Sequence, residues 1–259
     1  MSASPRFSVV VPTHDRDETL REALASVFAQ TERPLEVIVV DDLARPETER
    51  CVRELARGSA VPVELLSAPS RGGVSRAYNL GAQKARGDYL AFLDDDDRWA
   101  PGYLARARVA IEEDGVPLVL TDLTEFDDGG RTRPGKRPPD AYRVEDFYLK
   151  NPGALRSNLV VRRALFHELG GYDESIRGSS DKDLFMRAKA RGCAHRAIHE
   201  PLVFWRTGHP GQASTDPRRI LGNVVRFYGK YFRAMPWHIH LGMWRKLWRL
   251  FSEGYLRRR

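Results

Sequence analysis

Cysteine is scarce in this chain, and the sequence signals of several protein classes are missing. Only Cys51 and Cys193 occur among 259 residues, which excludes a disulfide framework and offers no metal-ligand spacing. No apolar run approaches the roughly 18 residues that a membrane-spanning helix needs. The first residues also lack the apolar segment of a secretory leader. We therefore expect a cytoplasmic protein.

Short motifs that bind nucleotides or nucleic acids are also absent from the sequence. The first apolar run is followed by PTHDRD, with neither G-x-G-x-x-G nor G-x-x-x-x-G-K-[ST]. Zinc-finger spacing, an RNP-type aromatic motif and a helix-turn-helix signature are missing as well. A net charge of +7 still favours an anionic partner. We expect a nucleotide or a phospholipid surface, and no nucleic acid.

The first 115 residues alternate short apolar runs with amphipathic segments. The pattern predicts strands over 7–11, 35–40, 62–69 and 88–97 and helices over 17–30, 46–58, 75–87 and 100–115. Pro12 is expected to stop the first strand, and Asp17 to cap the first helix. This alternation is typical of a mostly parallel sheet with helices on both faces.

The second half of the chain is less regular. A strand is predicted over 116–126, followed by a loop rich in Gly, Pro and charge over 127–140. A strand and a short helix follow within 157–174, a helix within 179–192, and one or two strands within 194–209. The tail from Asp216 on is predicted to be helical and basic.

Acidic or polar residues follow three of the predicted strands. These positions are Thr13–Asp15, Asp41–Asp42 and Asp94–Asp97. Because the carboxyl ends of parallel strands meet at one edge of a sheet, where ligands bind, we expect these residues to lie close together. Mg²⁺ or Mn²⁺, or a set of hydrogen-bond donors, would relieve their repulsion. A solvated acidic rim is the alternative.

Several segments together resemble family 2 glycosyltransferases of the GT-A fold. They are SVVVPTHDRDETLREALASVFAQT, LEVIVVDD, GVSRAYNLGAQKARGDYLAFLDDDD, SNLVVRRALFHELGGYDE and SSDKDLFMRAKARG. The resemblance covers roughly residues 7–210. It implies a Rossmann-like α/β domain with a mostly parallel central sheet flanked by helices. A nucleotide-sugar-binding half (1–120), an acceptor and catalytic-base half (121–215) and a basic helical tail (216–259) would make up the chain.

The resemblance also implies an activity and its site residues. The activity is metal-dependent, inverting transfer of a sugar from a nucleotide diphosphate sugar to an acceptor hydroxyl. The donor would be a UDP-sugar, or else a dTDP- or GDP-sugar, with Mn²⁺ or Mg²⁺ as cofactor. Asp181 would be the general base, and Asp96 and His209 would contact the metal. Nucleotide-sugar contacts would come from Pro12, Thr13, His14, Asp15, Asp42, Arg76, Asn79, Asp94 and Asp95.

The sequence departs from the family pattern at three places. Leu43-Ala44 follows the acids of the second strand instead of Gly-Ser, and Tyr78 stands where an Arg usually precedes Asn79. Ser180 replaces the Glu that precedes the general base. A capping box offers another interpretation here, with Ser180 as the N-cap and Asp183 at the third helical position. We prefer that interpretation for Asp183.

The tail places Leu241, Trp244, Trp248, Phe251 and Tyr255 at helical spacing, with Arg and Lys off that stripe. This composition is typical of an interfacial helix, which predicts peripheral contact with a membrane and suits a lipid-linked acceptor. A helix packed on the catalytic domain, or on a second copy in a homodimer, is the alternative.

Two other functions remain open from the sequence. A nucleotidyltransferase would share the sheet, the metal and the nucleotide, but it usually carries a Gly-rich phosphate loop after the first strand, which is missing here. A non-catalytic relative that binds a sugar nucleotide would not need both the Asp94–Asp97 run and Asp181.

Overall fold

The computed structural model describes residues 4–68, 72–176, 178–208 and 216–256. In these residues, nine strands form one sheet with the order β3-β2-β1-β4-β8-β6-β9-β5, and β7 pairs with β6. The strands are β1 (Phe7–Thr13), β2 (Glu36–Asp41), β3 (Val63–Ser67), β4 (Tyr89–Phe92), β5 (Arg98–Trp99), β6 (Leu118–Phe126), β7 (Thr132–Pro134), β8 (Leu159–Arg162) and β9 (Arg196–Arg206).

Helices connect and cover these strands. They are α1 (Asp17–Phe28), α2 (Pro46–Arg57), α3 (Val74–Lys84), α4 (Tyr103–Asp114), α5 (Asp146–Leu149), α6 (Arg163–Glu168), α7 (Ser180–Ala190), α8 (Pro217–Tyr231) and α9 (Trp237–Phe251), with a π-helical turn over Ser252–Leu256. Among the described residues, no helix combines the length and apolar character needed to cross a bilayer.

The sheet has a parallel half and a mixed half. β3, β2, β1 and β4 are parallel neighbours, as the alternating sequence predicts. β8 is antiparallel to both β4 and β6, while β9 runs parallel to β6. The segment expected to form one or two final strands is the single strand β9. The α/β fold with helices over a central sheet and a helical C-terminal extension is therefore confirmed.

Side-chain alternation along the strands builds a core on each face of the sheet. Val9 and Val11 of β1 point into a core shared with α1, α2 and α4. Val10 points to the other face, where α3, α7, α8 and α9 contribute. The α3 helix approaches β1 so closely that a Cβ at Gly81 would lie 2.3 Å from Val10 Cγ1. Successive buried residues thus explain why these strands read as continuous apolar runs.

The first strand does not stop at Pro12, contrary to the sequence prediction. Leu93 N donates to Val10 O, so the even-numbered residues of β1 direct their backbone groups toward β4. Because the pairing with β4 ends at Val10–Phe92, Pro12 faces a side where no ladder donor is required. The β1–β2 pairing continues to Thr13 and Asp41.

The expected cap at Asp17 is also wrong. α1 begins at Asp17 with Arg16 as its N-cap residue, and no side chain caps it. The Asp17 carboxylate instead accepts a hydrogen bond from Thr48 Oγ1 at 3.2 Å, which ties α1 to α2.

Candidate active site

The ends of β1, β2 and β4 meet at one edge of the sheet. Asp95 Oδ2 accepts hydrogen bonds from Thr13 Oγ1 at 2.8 Å and from His14 N at 3.3 Å. The His14 ring in turn contacts Asp42 Oδ1 through Nδ1. Asp42 N donates to Thr13 O at 3.3 Å. One hydrogen-bonded chain therefore joins four residues that the sequence singled out, from three different strand ends.

Two arginines neutralise the first three acids of the Asp94–Asp97 run. Arg16 Nη1 lies 3.1 Å from Asp95 Oδ1 and 2.7 Å from Asp96 Oδ2. Arg156 Nε lies 3.3 Å from Asp94 Oδ1, an oxygen that also accepts from Tyr78 OH at 2.9 Å. The protein's own donors thus relieve much of the repulsion between these carboxylates.

Asp97 belongs to the framework of the site. Its side chain is buried, with Ser157 Oγ at 2.5 Å from Oδ2 and Arg206 N at 2.9 Å from Oδ1. Burial, followed by the charges of Asp96 and Asp94, raises the pKa of Asp97 well above its usual range. Asp97 therefore anchors the end of β4 to β9 rather than facing a ligand.

Asp95 is also buried, with 5% of its surface exposed. Burial and then the neighbouring charge of Asp96 raise the pKa of Asp95 to about 7, although Arg16 and the Thr13 hydroxyl oppose that rise. Desolvation thus outweighs the ion pair at this carboxyl. The hydrogen bonds of Asp95 connect β1 to the acid run, so it shapes the floor of the site.

Arg156 connects the acid run to α7. Its Nη1 lies 3.3 Å from Ser180 Oγ, which also accepts a hydrogen bond from Ser75 Oγ at 3.0 Å. The guanidinium lies 5.5 Å from the centre of the Tyr78 ring. Although burial opposes it, the charges of Asp94 and Asp181 hold the pKa of Arg156 above its ordinary value. Tyr78 and Arg156 therefore both contact Asp94. Tyr78 stands at the sequence position where the family that the chain resembles usually has an Arg.

Asp181 lies in the first turn of α7. Its Oδ2 accepts a hydrogen bond from Asn151 Nδ2 at 3.1 Å, and its Oδ1 contacts Lys182 N at 2.7 Å. Both of these donors are neutral groups. Ser180, beside it, is held by Arg156 rather than capping the helix, because the N-cap residue of α7 is Ser179.

The capping-box interpretation of Asp183 is wrong. Asp183 is fully buried and accepts hydrogen bonds from Arg187 Nε at 2.8 Å, Lys230 Nζ at 2.6 Å and Tyr231 OH at 2.7 Å. Lys230 and Tyr231 belong to α8, so this carboxylate fastens α8 to α7. Sequence spacing could not reveal these partners, which lie 47 and 48 positions away.

Four other predicted site residues are not brought into these contacts. Asp15 adopts a φ of 55° and pairs with Arg45. Arg76 is exposed on α3, and its side chain lies against Gly72. Asn79 clamps the backbone of Tyr172, donating to its O at 2.8 Å and accepting from its N at 2.8 Å. Pro12 lies within β1, next to Thr13.

Asn79 and the loop after α6, residues 169–174, line a cavity of about 420 Å³. Its wall also includes Asp173 and Lys230, which are joined by an ion pair at 2.6 Å. The hydrogen bonds of Asn79 are structural ones that hold α3 to the loop after α6.

Asp96 and His209 are the predicted metal ligands. In the described ranges, no group of three or more His, Cys, Asp or Glu side chains could by itself hold an ion. His209 lies outside the described residues. Asp96 has a 17% exposed side chain, and its Oδ2 contacts Arg16. Mg²⁺ and Mn²⁺ commonly take one or two carboxylates and complete their shell with water and substrate phosphates, so Asp96 fits an ion that arrives with a diphosphate.

Sequence reasoning missed Arg16 and Arg156. Arg16 directly follows the predicted nucleotide loop, and its position beside three acidic strand ends was a signal that could have found it. No local pattern marks Arg156, because its partners Asp94 and Ser180 are 62 and 24 positions away.

The sheet, with helices on both faces and its polar strand ends gathered at one edge, has the architecture of the GT-A fold. The model of Glycosyl transferase family 2 matches residues 8–170, and the chain belongs to this family. The predicted transferase activity class is thereby confirmed.

Named relatives agree with this assignment. The chain is 34% identical over 221 residues to O-antigen biosynthesis protein RfbC of Myxococcus xanthus, covering 83% of this chain and 17% of RfbC. It is 26% identical over 206 residues to the amylovoran biosynthesis glycosyltransferase AmsB of Erwinia amylovora, covering 76% and 68% of the two chains. The chain thus spans less than a fifth of RfbC.

Solved structures confirm the fold. S. aureus TarS 1–349 in complex with UDP-GlcNAc has a TM-score of 0.70 and 19% identity, over 97% of this chain and 73% of that chain. The mannosyltransferase PcManGT from Pyrobaculum calidifontis, in complex with GDP-Man and Mn²⁺, has a TM-score of 0.66 and 23% identity, over 98% and 70%.

Proposed function

We propose that this glycosyltransferase moves a sugar, with inversion and with the help of Mn²⁺ or Mg²⁺, from a nucleotide diphosphate sugar to an acceptor hydroxyl. The contact network that joins Thr13, Asp95 and Asp96 at the strand ends carries this proposal. Residues 1–120 would bind the donor, and residues 121–215 would supply the acceptor side and the base.

On the donor side, the nucleoside would lie against the ends of β1 and β2. Thr13, His14 and Asp42 are already joined by hydrogen bonds there and offer polar groups to a base and a ribose. Asp94 would face the ribose or the sugar, and Asp96 would hold the metal, which would neutralise the departing diphosphate. A UDP-sugar is the proposed donor. TarS was solved with UDP-GlcNAc and PcManGT with GDP-Man, so GDP is a necessary comparison.

On the acceptor side, Asp181 would take the proton from the attacking hydroxyl. Inverting transfer is one displacement at the anomeric carbon, so the base must lie on the face opposite the leaving group. Arg156 contacts Asp94 and Ser180, and it thereby fixes the first turn of α7 relative to the donor acids. This link supports a base at position 181.

A thermal-shift panel tests the donor site. Purified protein is heated with UDP, dTDP or GDP, each with Mn²⁺ and with EDTA, because a ligand that binds the native state raises Tm by mass action. We expect the largest rise with UDP and Mn²⁺. Asp96→Ala should abolish the metal-dependent part of that rise, whereas Asp114→Ala, at the exposed end of α4, should leave it unchanged.

Two results would overturn the proposal. The first is a wild-type Tm that no nucleotide changes, which would remove the donor site. The second is a metal-dependent shift that survives in Asp96→Ala, which would move the metal to other ligands.

A further inference from the structure

Large exposed apolar side chains are confined to one region of the described residues. Each of them is at least 41% exposed, and all belong to α8, its C-cap residue Phe232, α9 or the π-helical turn. They are Val225, Phe232, Trp237, Leu241, Trp244, Trp248, Phe251 and Tyr255. Single exposed apolar residues are ordinary on protein surfaces, but a contiguous group indicates a contact surface. We call this group the tail face.

The tail face belongs to a firmly placed helix. On the other side of α9, Met243 and Leu250 are buried in the core between the sheet and the helices. Lys246 Nζ donates to Leu149 O at 2.6 Å. A Cβ at Gly242 would lie 2.9 Å from Leu149 Cδ1, so α9 packs closely on α5. The exposed side of α9 is therefore a defined surface of the folded chain.

The tail face is a continuous stripe. Its residues from Trp237 to Tyr255 follow one another at intervals of four, three, four, three and four positions, which is the spacing of one helix face. The ring centres of Trp248 and Phe251 are 6.1 Å apart, and those of Phe251 and Tyr255 are 5.2 Å apart. Trp244 Nε1 donates to Tyr228 OH at 2.9 Å, so its polar atom is satisfied while its ring is exposed.

The surroundings of the tail face are strongly basic. Residues 216–256 contain two acidic residues, Asp216 and Glu253, and eight basic ones: Arg218, Arg219, Arg226, Lys230, Arg233, Arg245, Lys246 and Arg249. Arg226, Arg233, Arg245 and Arg249 are exposed. A Trp-rich apolar stripe bordered by Arg matches the interfacial region of a bilayer that contains anionic lipid.

We propose that the tail face docks the protein on an anionic lipid surface, with α8 and α9 lying in the plane of the interface. Headgroup phosphates would pair with the exposed arginines, and the tryptophan rings would lie at the level of the headgroups. A second copy is a poorer occupant, because two tail faces brought together would oppose the exposed Arg226, Arg233, Arg245 and Arg249 with the same four arginines.

One helix of the docking surface, α8, also contacts α7 through its buried side. Phe227 of α8 lies under the Lys182 ammonium, with Nζ 3.4 Å from the ring centre, and Tyr231 OH donates to Asp183. Lys182 and Asp183 directly follow Asp181 on α7. If the proposed function holds, α8 would thus connect the lipid surface to the helix that bears the base.

Vesicle co-sedimentation of the full chain tests the docking surface. We expect binding to vesicles of phosphatidylcholine with phosphatidylglycerol, weaker binding as NaCl is raised, and little binding to phosphatidylcholine alone. The double variant Trp237→Ser/Trp248→Ser should bind the anionic vesicles at least about tenfold more weakly. Arg245→Glu/Arg249→Glu should have a similar effect, whereas Arg50→Glu/Arg53→Glu on α2, with the same charge change, should stay within about twofold.

Light scattering and nucleotide thermal shifts on the same proteins complete the test. A dimer that Trp237→Ser/Trp248→Ser converts to a monomer would assign the tail face to a second copy and overturn the proposal. Absence of wild-type binding to anionic vesicles, or equal binding by the Trp variant, would also overturn it. The nucleotide shift checks that each variant is folded, and its failure in wild type would contradict the proposed function alone.

Discussion

The guanidinium of Arg16 holds Asp96, with 2.7 Å between Nη1 and Oδ2, and it also reaches Asp95 at 3.1 Å. It therefore contacts an oxygen of the carboxylate that we propose holds a divalent ion. Arg16→Met should lower the free energy of unfolding in EDTA by roughly 1–2 kcal/mol, because the carboxylates lose their counter-charge. Mn²⁺ should then raise the Tm of this variant more than that of wild type, because the ion no longer competes with an arginine.

The matched control is Arg21→Met, on the same helix. Arg21 pairs with Glu54 on the surface, at 2.8 Å and with both side chains well exposed. Its loss should leave the response to Mn²⁺ as in wild type. If Mn²⁺ raised the Tm of Arg16→Met and of wild type equally, Arg16 would not compete with the ion for Asp96.

Arg156 links the acid run to α7, so its loss should disturb both. Arg156→Lys retains a charge, but an ammonium cannot reproduce the fork that reaches both Asp94 and Ser180. We expect the free energy of unfolding to fall by roughly 1–3 kcal/mol, together with turnover, because α7 loses its link to the acid run. Urea unfolding and a transfer assay measure the two effects.

Tyr78→Phe serves as the comparison for Arg156→Lys. It removes one of the two donors to Asp94 and leaves the link to Ser180 intact. The cost should be about 1 kcal/mol, with a smaller loss of turnover. If both variants reduced turnover equally, the link between Asp94 and α7 would have no role beyond neutralising Asp94.

Much of the framework was predictable because it follows from local pattern. Buried runs such as the one around Val10, and the acids that follow them, predict a parallel sheet and a shared edge. The prediction that Pro12 stops β1 was wrong because the nitrogen of Pro12 faces the β4 side, where the pairing with β4 has already ended. Local sequence cannot supply that information.

Contacts between residues far apart in the sequence limit how much of the site can be predicted from it. Asp183 looks like a capping residue within its own helix, yet its partners come from α8. The tail helix was likewise offered as either packed or interfacial, and α9 buries Met243 while exposing Trp244. The structure shows that α9 is packed on the domain and has a second, exposed apolar side, and contact of that side with a membrane stays a prediction.

Asp181 and Asp183 both lie in the first turn of α7, and replacing each by Asn should have a different effect. Asp181→Asn should lower turnover by roughly 10²–10⁴-fold and leave donor affinity unchanged, because it removes only the proposed base. Asp183→Asn should lower the free energy of unfolding by about 3–5 kcal/mol, because Lys230 and Arg187 lose a buried counter-charge. Turnover, nucleotide affinity and urea unfolding of both variants separate these roles.

Full turnover in Asp181→Asn would remove it as the base. Unchanged stability in Asp183→Asn would mean that α8 is held to α7 mainly by apolar contacts such as those of Phe227.

Lys182 should make stability depend on pH in the alkaline range. Burial, followed by the charge of Lys246, lowers the pKa of Lys182 to about 7 from an ordinary 10.5. Between these values the unfolded chain holds a proton that the folded chain lacks, so wild-type stability should rise with pH across this window. Lys182→Met should therefore be more stable than wild type at about pH 6, by roughly 2–4 kcal/mol, with a smaller advantage near pH 10.

Urea unfolding of Lys182→Met and wild type at both pH values measures this difference. Lys84→Met, at the exposed end of α3, controls for the removal of one lysine charge. The comparison depends on the change between the two pH values, because the loss of the packing of the Lys182 side chain against the Phe227 ring affects both. A stability difference that is the same at both pH values would show that Lys182 stays protonated in the folded protein throughout the range.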